Sequence, residues 1–229
     1  ENLEINNAAG VMLAGGDLKI NTGSKLVLTD GILNTGSKML DLTSFTSASA
    51  FNNAVEGDGV EGYIKAQLET GGIKTYEFPF GAPGSVLKRT FKLTVYDQNN
   101  AISGNQVVVG YFNQQPGGKT NFPLQDGSLV IARYPDFYWT VKSNQPLPNT
   151  VKYNFAVTAE GFTAYSDLQK IRLIRRNAGG SANPWSLVPA TTYNNYIDTN
   201  NNLVVAAVET GSFINTVEQI VGLGLEPNL

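Results

Sequence analysis

The stretch Leu18-Lys19-Ile20-Asn21-Thr22-Gly23-Ser24-Lys25 recurs almost unchanged, thirteen residues on, as Ile32-Leu33-Asn34-Thr35-Gly36-Ser37-Lys38. A weaker copy precedes both, with Leu3-Glu4-Ile5-Asn6 matching Leu18-Lys19-Ile20-Asn21 at a spacing of fifteen. A repeat this short cannot enclose a core of its own, so its apolar side chains must be buried by stacking one copy on the next. Short alternating strands at Leu3-Ile5 and Leu18-Ile20 lead through Asn/Gly corners to second strands. Those are Val11-Met12-Leu13, Leu26-Val27-Leu28 and Met39-Leu40 with Leu42. Residues 1–45 therefore read as β-solenoid-like repeats, with a plain meander as the alternative. An uncapped first layer exposes unpaired strand edges and an apolar cross-section. The expected partners there are flanking domains of the same polypeptide or identical subunits, joined as a surface assembly or a fibre. Opening on Glu1 rather than Met, the sequence reads as a mature or excised piece.

Beyond the repeats, residues 46–61 are small and polar and read as a linker or long loop. From Gly62 the period becomes two, most cleanly where Val151, Tyr153, Phe155 and Val157 alternate with Lys152, Asn154, Ala156 and Thr158. Similar runs centre on Ile64–Leu68, Ile73–Phe80, Phe91–Val95, Gln106–Phe112, Leu129–Arg133, Phe137–Lys142, Lys170–Arg176, Leu203–Val208 and Gln219–Leu223. One apolar and one wet face per strand predicts antiparallel sheets packed together. The fold class is thus all-β, short N-terminal β-solenoid-like repeats followed by an antiparallel β-sandwich over residues 62–229.

Composition removes several functions. The chain has no Cys and no His, which excludes disulfides, thiolate metal sites and every His-based catalytic arrangement. A net charge of −3 gives no basic face for nucleic acid. No run of about eighteen apolar residues occurs, so no membrane insertion is expected.

Several clusters are candidate sites. Tyr134, Phe137, Tyr138 and Trp139 make an aromatic run in which alternation sends Phe137 and Trp139 to the core. Tyr138 and Tyr134 then face out, with Tyr96 and Tyr111 as neighbours, a candidate platform for carbohydrate contact. Asp198, Asn200 and Asn202 alternate like the oxygen ligands of a calcium loop, making Ca²⁺ the one cofactor with a candidate site. The loop lacks the turn Gly and the bidentate Glu, and an Asx-rich turn explains it too. Glu56-Gly57-Asp58 reads as a solvated loop that could join a metal site. Gly117-Gly118-Lys119-Thr120 ends like a phosphate loop but lacks its first Gly and a following helix, and so reads as a hairpin turn. Lys170, Arg172, Arg175 and Arg176 form a basic patch suited to guarding an edge strand. The acids are scattered, and no pair is set by sequence to act as a glycosidase dyad.

The order of motifs resembles the β-rich region of large Bacteroidota cell-surface proteins. The resemblance rests on Gly62-Tyr63-Ile64, Tyr76-Glu77-Phe78-Pro79-Phe80-Gly81, Tyr138-Trp139-Thr140-Val141, Leu173-Ile174-Arg175-Arg176, Trp185 and Gly211-Ser212-Phe213. Its sharpest marks are Phe78-Pro79-Phe80-Gly81 and Asp30-Gly31-Ile32-Leu33-Asn34-Thr35. In such proteins solenoid-like repeats run into a module with an "F-P-x-G" signature, often ahead of a sorting domain read by type IX secretion. The resemblance implies export, an extracellular or cell-surface location and an adhesin-like role, and it supplies no catalytic residues. The expected function is a non-catalytic structural or adhesin module. The alternative is a carbohydrate-binding module contacting surface glycans, with a glycan-active enzyme behind both.

Overall fold

The computed structural model describes residues 1–82, 87–148, 150–210 and 214–227. Alternating aliphatics open the chain as β1 (Leu3–Asn6), β2 (Val11–Met12), β3 (Leu18–Lys19), β4 (Leu26–Asp30) and β5 (Leu33–Asp41). After helix α1 (Ala48–Asn52) come β6 (Val55–Gly57) and β7 (Val60–Gln67). These strands stack in parallel, β1-β4-β6 on one side and β2 and β3, then β5, then β7 on the other. The antiparallel meander is therefore not their arrangement.

The stacking step is 23 residues from Leu3 to Leu26 and 22 from Val11 to Leu33 and from Leu18 to Leu40. The thirteen-residue echo is not the structural period. In its first copy Thr22-Gly23 makes the turn into β4, whereas Thr35-Gly36-Ser37 of the second lies inside β5. There the β5–β7 register shifts between Asn34 and Met39. Aliphatic burial sets the register, because Leu26, Leu28, Leu33 and Leu40 are wholly enclosed.

Residues 46–61, expected as a linker or loop, contain ordered elements. The Ser47 hydroxyl caps α1 by accepting from the Ala50 N–H at 3.2 Å. Phe51 then wedges edge-on against Tyr76 and Phe78, with ring centroids 5.5 and 5.0 Å away. β6 adds the third strand to β4. Small residues at 46–61 conceal this, since one aromatic and one cap suffice to fix so short an element.

The remaining strands are β8 (Gly72–Phe78), β9 (Phe91–Asp97), β10 (Gln106–Phe112), β11 (Leu124–Asp126), β12 (Leu129–Ile131), β13 (Tyr138–Ser143), β14 (Lys152–Ala159), β15 (Arg172–Asn177), β16 (Ser186–Leu187), β17 (Thr192–Ile197), β18 (Leu203–Thr210) and β19 (Gln219–Gly224). The long sheet runs β16-β15-β19-β13-β10-β7-β5-β2, with β3 also on β5. A second sheet runs β17-β18-β14-β9-β8. The fold is all-β and sandwich-like. One apolar cluster reaches from Ile5 through Leu33, Phe91 and Trp139 to Leu225, so the layers and the sandwich share a core. The expected division at residues 45 and 62 is absent, because β5 joins directly to β7. No helix among the described residues is long and apolar enough to cross a membrane.

Gly57 shows how tightly the layers close. Its φ is +101°, and a Cβ there would lie 1.9 Å from the Leu28 carbonyl oxygen. Gly57→Ala is expected to lower unfolding stability by about 2–4 kcal/mol in denaturant titration. Gly16→Ala, with open space around it, should stay within about 0.5 kcal/mol of the parent.

The buried phenols make a second prediction. Burial above all pushes Tyr76, Tyr111 and Tyr193 up to about 12 and also raises Tyr63 and Tyr153. A phenol raised on folding leaves stability intact below its unfolded value near pH ~10 and removes it as pH climbs through the folded value. Denaturant midpoints should hold to pH ~10 and then fall, with phenolate absorbance rising as near-UV dichroism is lost.

Candidate functional site

The outer face of the long sheet carries an aromatic strip. Along β7, Val60, Gly62, Ile64 and Ala66 point inward, so Tyr63 stands on the opposite face. Along β10, Val107, Val109 and Tyr111 point inward, which sends Gly110 and Phe112 outward. On β13, inward Trp139 and Val141 leave Tyr138 outside. Register sets Tyr63 beside Gly110 and Phe112 beside Tyr138. The three rings touch in sequence, Tyr63 to Phe112 at 5.1 Å edge-on and Phe112 to Tyr138 at 5.3 Å in a stack. All three are half-buried.

Gly110 makes this contact possible. A Cβ there would lie 2.9 Å from the Tyr63 ring, 3.0 Å from the Phe112 ring and 2.7 Å from the Thr140 hydroxyl. The glycine opens a notch in the sheet into which both rings settle.

Polar groups rim the strip. The Glu61 carboxylate accepts from Asn34 Nδ2 at 2.7 Å and from the Asn113 N–H at 3.4 Å, and burial raises its pKa against that backbone bond. Gln114 Nε2 donates to the Tyr138 hydroxyl at 3.3 Å. Tyr63 is hydrogen-bonded to Glu218; burial first, then that carboxylate, drives its phenol pKa up.

The predicted tyrosines divide among three places. Tyr138 belongs to the strip. Tyr134 lies beside it in a satellite core, 5.3 Å from Trp185 and 5.5 Å from Phe122, its hydroxyl donating to the Gly118 carbonyl at 2.7 Å. Tyr96 stands on the second sheet, its hydroxyl accepting from Asn154 Nδ2 at 2.7 Å. Tyr111 was expected outside and is 0% exposed, packed against Trp139 and Phe80. Strand parity gives the reason: Tyr111 is paired with Trp139, and the outward neighbour of Tyr138 is Phe112. Sequence reading missed Tyr63 and Phe112, although alternation along β7 and β10 marks both as outward.

Other candidates resolve into local structure. Asp198 Oδ1 accepts from the Asn200 and Asn202 N–H groups, each at 2.9 Å, and Oδ2 from Asn202 Nδ2 at 3.2 Å. Backbone donation from Asn202, ahead of the others, holds its carboxyl below the usual range. This is an Asx turn closing the β17–β18 hairpin. Asn200 supplies only its N–H to that turn. Gly117 and Gly118 have φ of 68° and 63°, and the Gly118 carbonyl accepts from both Tyr134 and Trp185 Nε1. The basic patch is largely committed: Arg172 Nε bonds Asp126 at 2.5 Å, Lys170 reaches Glu226 at 3.2 Å, and burial lowers the pKa of Arg175 and Arg176. Gly211-Ser212-Phe213 lie outside the described residues.

Two acids, Asp58 and Glu77, share a cavity of about 310 Å³ with Phe51, Phe80 and Lys88. Asp58 caps the Gly31 N–H at 2.9 Å and Glu77 pairs with Lys92 at 3.3 Å. Among the described residues no group of three or more Asp or Glu side chains gathers in a form that could hold a metal ion.

Compared with known protein families, curated proteins and solved structures, the chain matches none.

Beside the strip, Arg176 anchors the satellite core. Its guanidinium lies 4.9 Å over Trp185, donates to the Ser181 carbonyl at 3.1 Å and bonds the Pro116 carbonyl. Arg176→Ala strands both acceptors and should cost about 2–3 kcal/mol. A red-shifted Trp emission that precedes global unfolding in denaturant would report it.

Proposed function

We propose that this chain is a non-catalytic adhesive or structural module of a cell-surface or secreted protein, contacting a surface glycan through the strip Tyr63–Phe112–Tyr138. The observation that carries the reading is three contiguous, half-buried rings on one sheet face, rimmed by the Glu61 and Gln114 side chains. Aromatic rings offer sugar C–H faces an apolar contact at low entropic cost, and amide or carboxylate groups at the rim match hydroxyls. The carboxylates beside this face, Glu61 and Glu218, are held in hydrogen bonds to Asn34, Asn113 and Tyr63, which suits holding a ligand. Its expected partners beyond glycans are flanking domains of the same polypeptide or identical subunits. The resemblance to Bacteroidota surface proteins, with type IX export, agrees with an exterior location.

A polysaccharide pull-down and a glycan panel test the reading. The parent chain should bind a subset of neutral glycans. Tyr63→Ala, Phe112→Ala and Tyr138→Ala should each weaken binding by about ten-fold or more, while Tyr96→Ala on the other sheet leaves it unchanged. Absence of binding across the panel, or binding indifferent to all three strip variants, overturns the glycan assignment.

A further inference from the structure

Equivalent positions in the parallel stack differ sharply in exposure according to their layer. Leu3 is 40% exposed, yet Leu26, its partner one layer on, is 0%. Val11 is 37% exposed, whereas Leu33 and then Val60 are 0%. Leu18 is half-buried where Leu40 and Ile64 are enclosed. Met12, at the outer edge, is 68% exposed. At the Leu3, Val11 and Leu18 positions the next layer again carries an aliphatic residue, and what changes is the presence of a covering layer. Among the described residues no strand pairs the outer edges of β1, β2 or β3.

Unpaired edges of this kind, which carry aliphatic side chains and no proline, are templates for strand addition, and the one register shift in β1 falls at its end, between Ile5 and Asn6. We propose that the outer edge of the first layer is a docking surface for one further β-layer, paired parallel to β1 and to β2 and β3, with aliphatic residues opposite Leu3, Ile5, Val11 and Leu18. Continuity with the layer-to-layer interface already present selects this occupant. It would repeat the β1–β4 and β2–β5 pairings one step outward.

A second copy of the chain fits less well. Head-to-tail stacking needs free parallel edges on both sides of the far end, but only β6 offers one among the described residues, while β7 is paired by β5 on one side and by antiparallel β10 on the other. Two copies could meet only first layer to first layer about a twofold axis, which would reverse the strand direction across the joint. The inference therefore narrows the fibre expectation: the chain accepts a whole layer at one end, while at the other the β7 side is closed by β10. It rests on the modular reading above, but a failed glycan test leaves it standing, and its own failure leaves glycan binding standing.

The test adds a layer. A second copy of residues 3–25 is fused directly ahead of Leu3 in the full chain, beside a fusion of the same composition in shuffled order. The expected result is amide exchange in β1–β3 slowed by about ten-fold or more and a melting temperature raised by ~4 °C or more, with no change from the shuffled fusion. The same segment added as a free peptide in millimolar excess is a second measurement, also expected to slow exchange in β1–β3. If neither fusion nor peptide protects β1–β3, or if the shuffled sequence does as well, the proposal is overturned. It is equally overturned if the unmodified chain forms a concentration-dependent dimer, with β1–β3 already protected, that Met12→Lys abolishes.

Discussion

The pairing of β5 with β7 is the constraint on which the rest depends. On one edge β7 continues a parallel stack begun by β2 and β3, and on the other it opens an antiparallel sheet with β10. One strand thus obeys two pairing geometries and ties two architectures to a single register. Its inward residues, Val60, Ile64 and Ala66, belong to the cluster that holds Leu33 and Leu40 as well as Val109 and Trp139. Slipping β7 by one residue would turn all of them outward and place Tyr63 in the core. The aromatic strip is a consequence of that same parity.

Burial and hydrogen bonding reinforce each other at the seam. Phe80 lies between the stack and the sheets, stacked 6.4 Å from Phe78 and tilted 6.1 Å from Tyr111. Trp139, fully enclosed, donates its indole N–H to the Arg89 carbonyl at 2.8 Å, and the Arg89 guanidinium sits 4.8 Å over Phe137. A buried indole without an acceptor would cost about 1–3 kcal/mol; here the segment before β9 supplies one. The Phe78-Pro79-Phe80-Gly81 segment that stands out in the sequence is therefore a packing device. It turns the chain where the second sheet meets the layers.

Much of this fold was legible in the residues, and the failures have physical causes. Period-two alternation located the strands with one wet face, β7, β9, β10, β13 and β14 among them. It failed at β17, whose Thr192–Ile197 sequence is mostly polar. There Asn195 is buried because its amide donates to the Leu168 and Ile171 carbonyls at 2.9 and 2.8 Å. A side chain serving as a cap mimics loop chemistry in sequence. The thirteen-residue echo misled for another reason: identical text took two conformations, a turn at Thr22-Gly23 and a strand at Thr35-Gly36. The 22–23-residue step is nevertheless written in the aliphatics, Leu3 with Leu26, Ile5 with Leu28 and Leu18 with Leu40. At the aromatic strip, Tyr138 was readable from parity. Tyr111 falls in the core by the same parity along β10, where it shares a face with Val107 and Val109.

Sequence composition and surface chemistry meet in the way the acids are used. Asp97, 1% exposed, accepts from the Ala101 and Gly71 N–H groups; Glu69 from Lys74 and the Ala48 N–H; Glu160 from the Lys88 N–H. Each closes a turn or fixes an element end. A chain built from short strands has many such ends, each leaving backbone donors unpaired, and carboxylates are strong acceptors for them. Asp97, Glu69 and Glu160 thus spend their charge on holding corners.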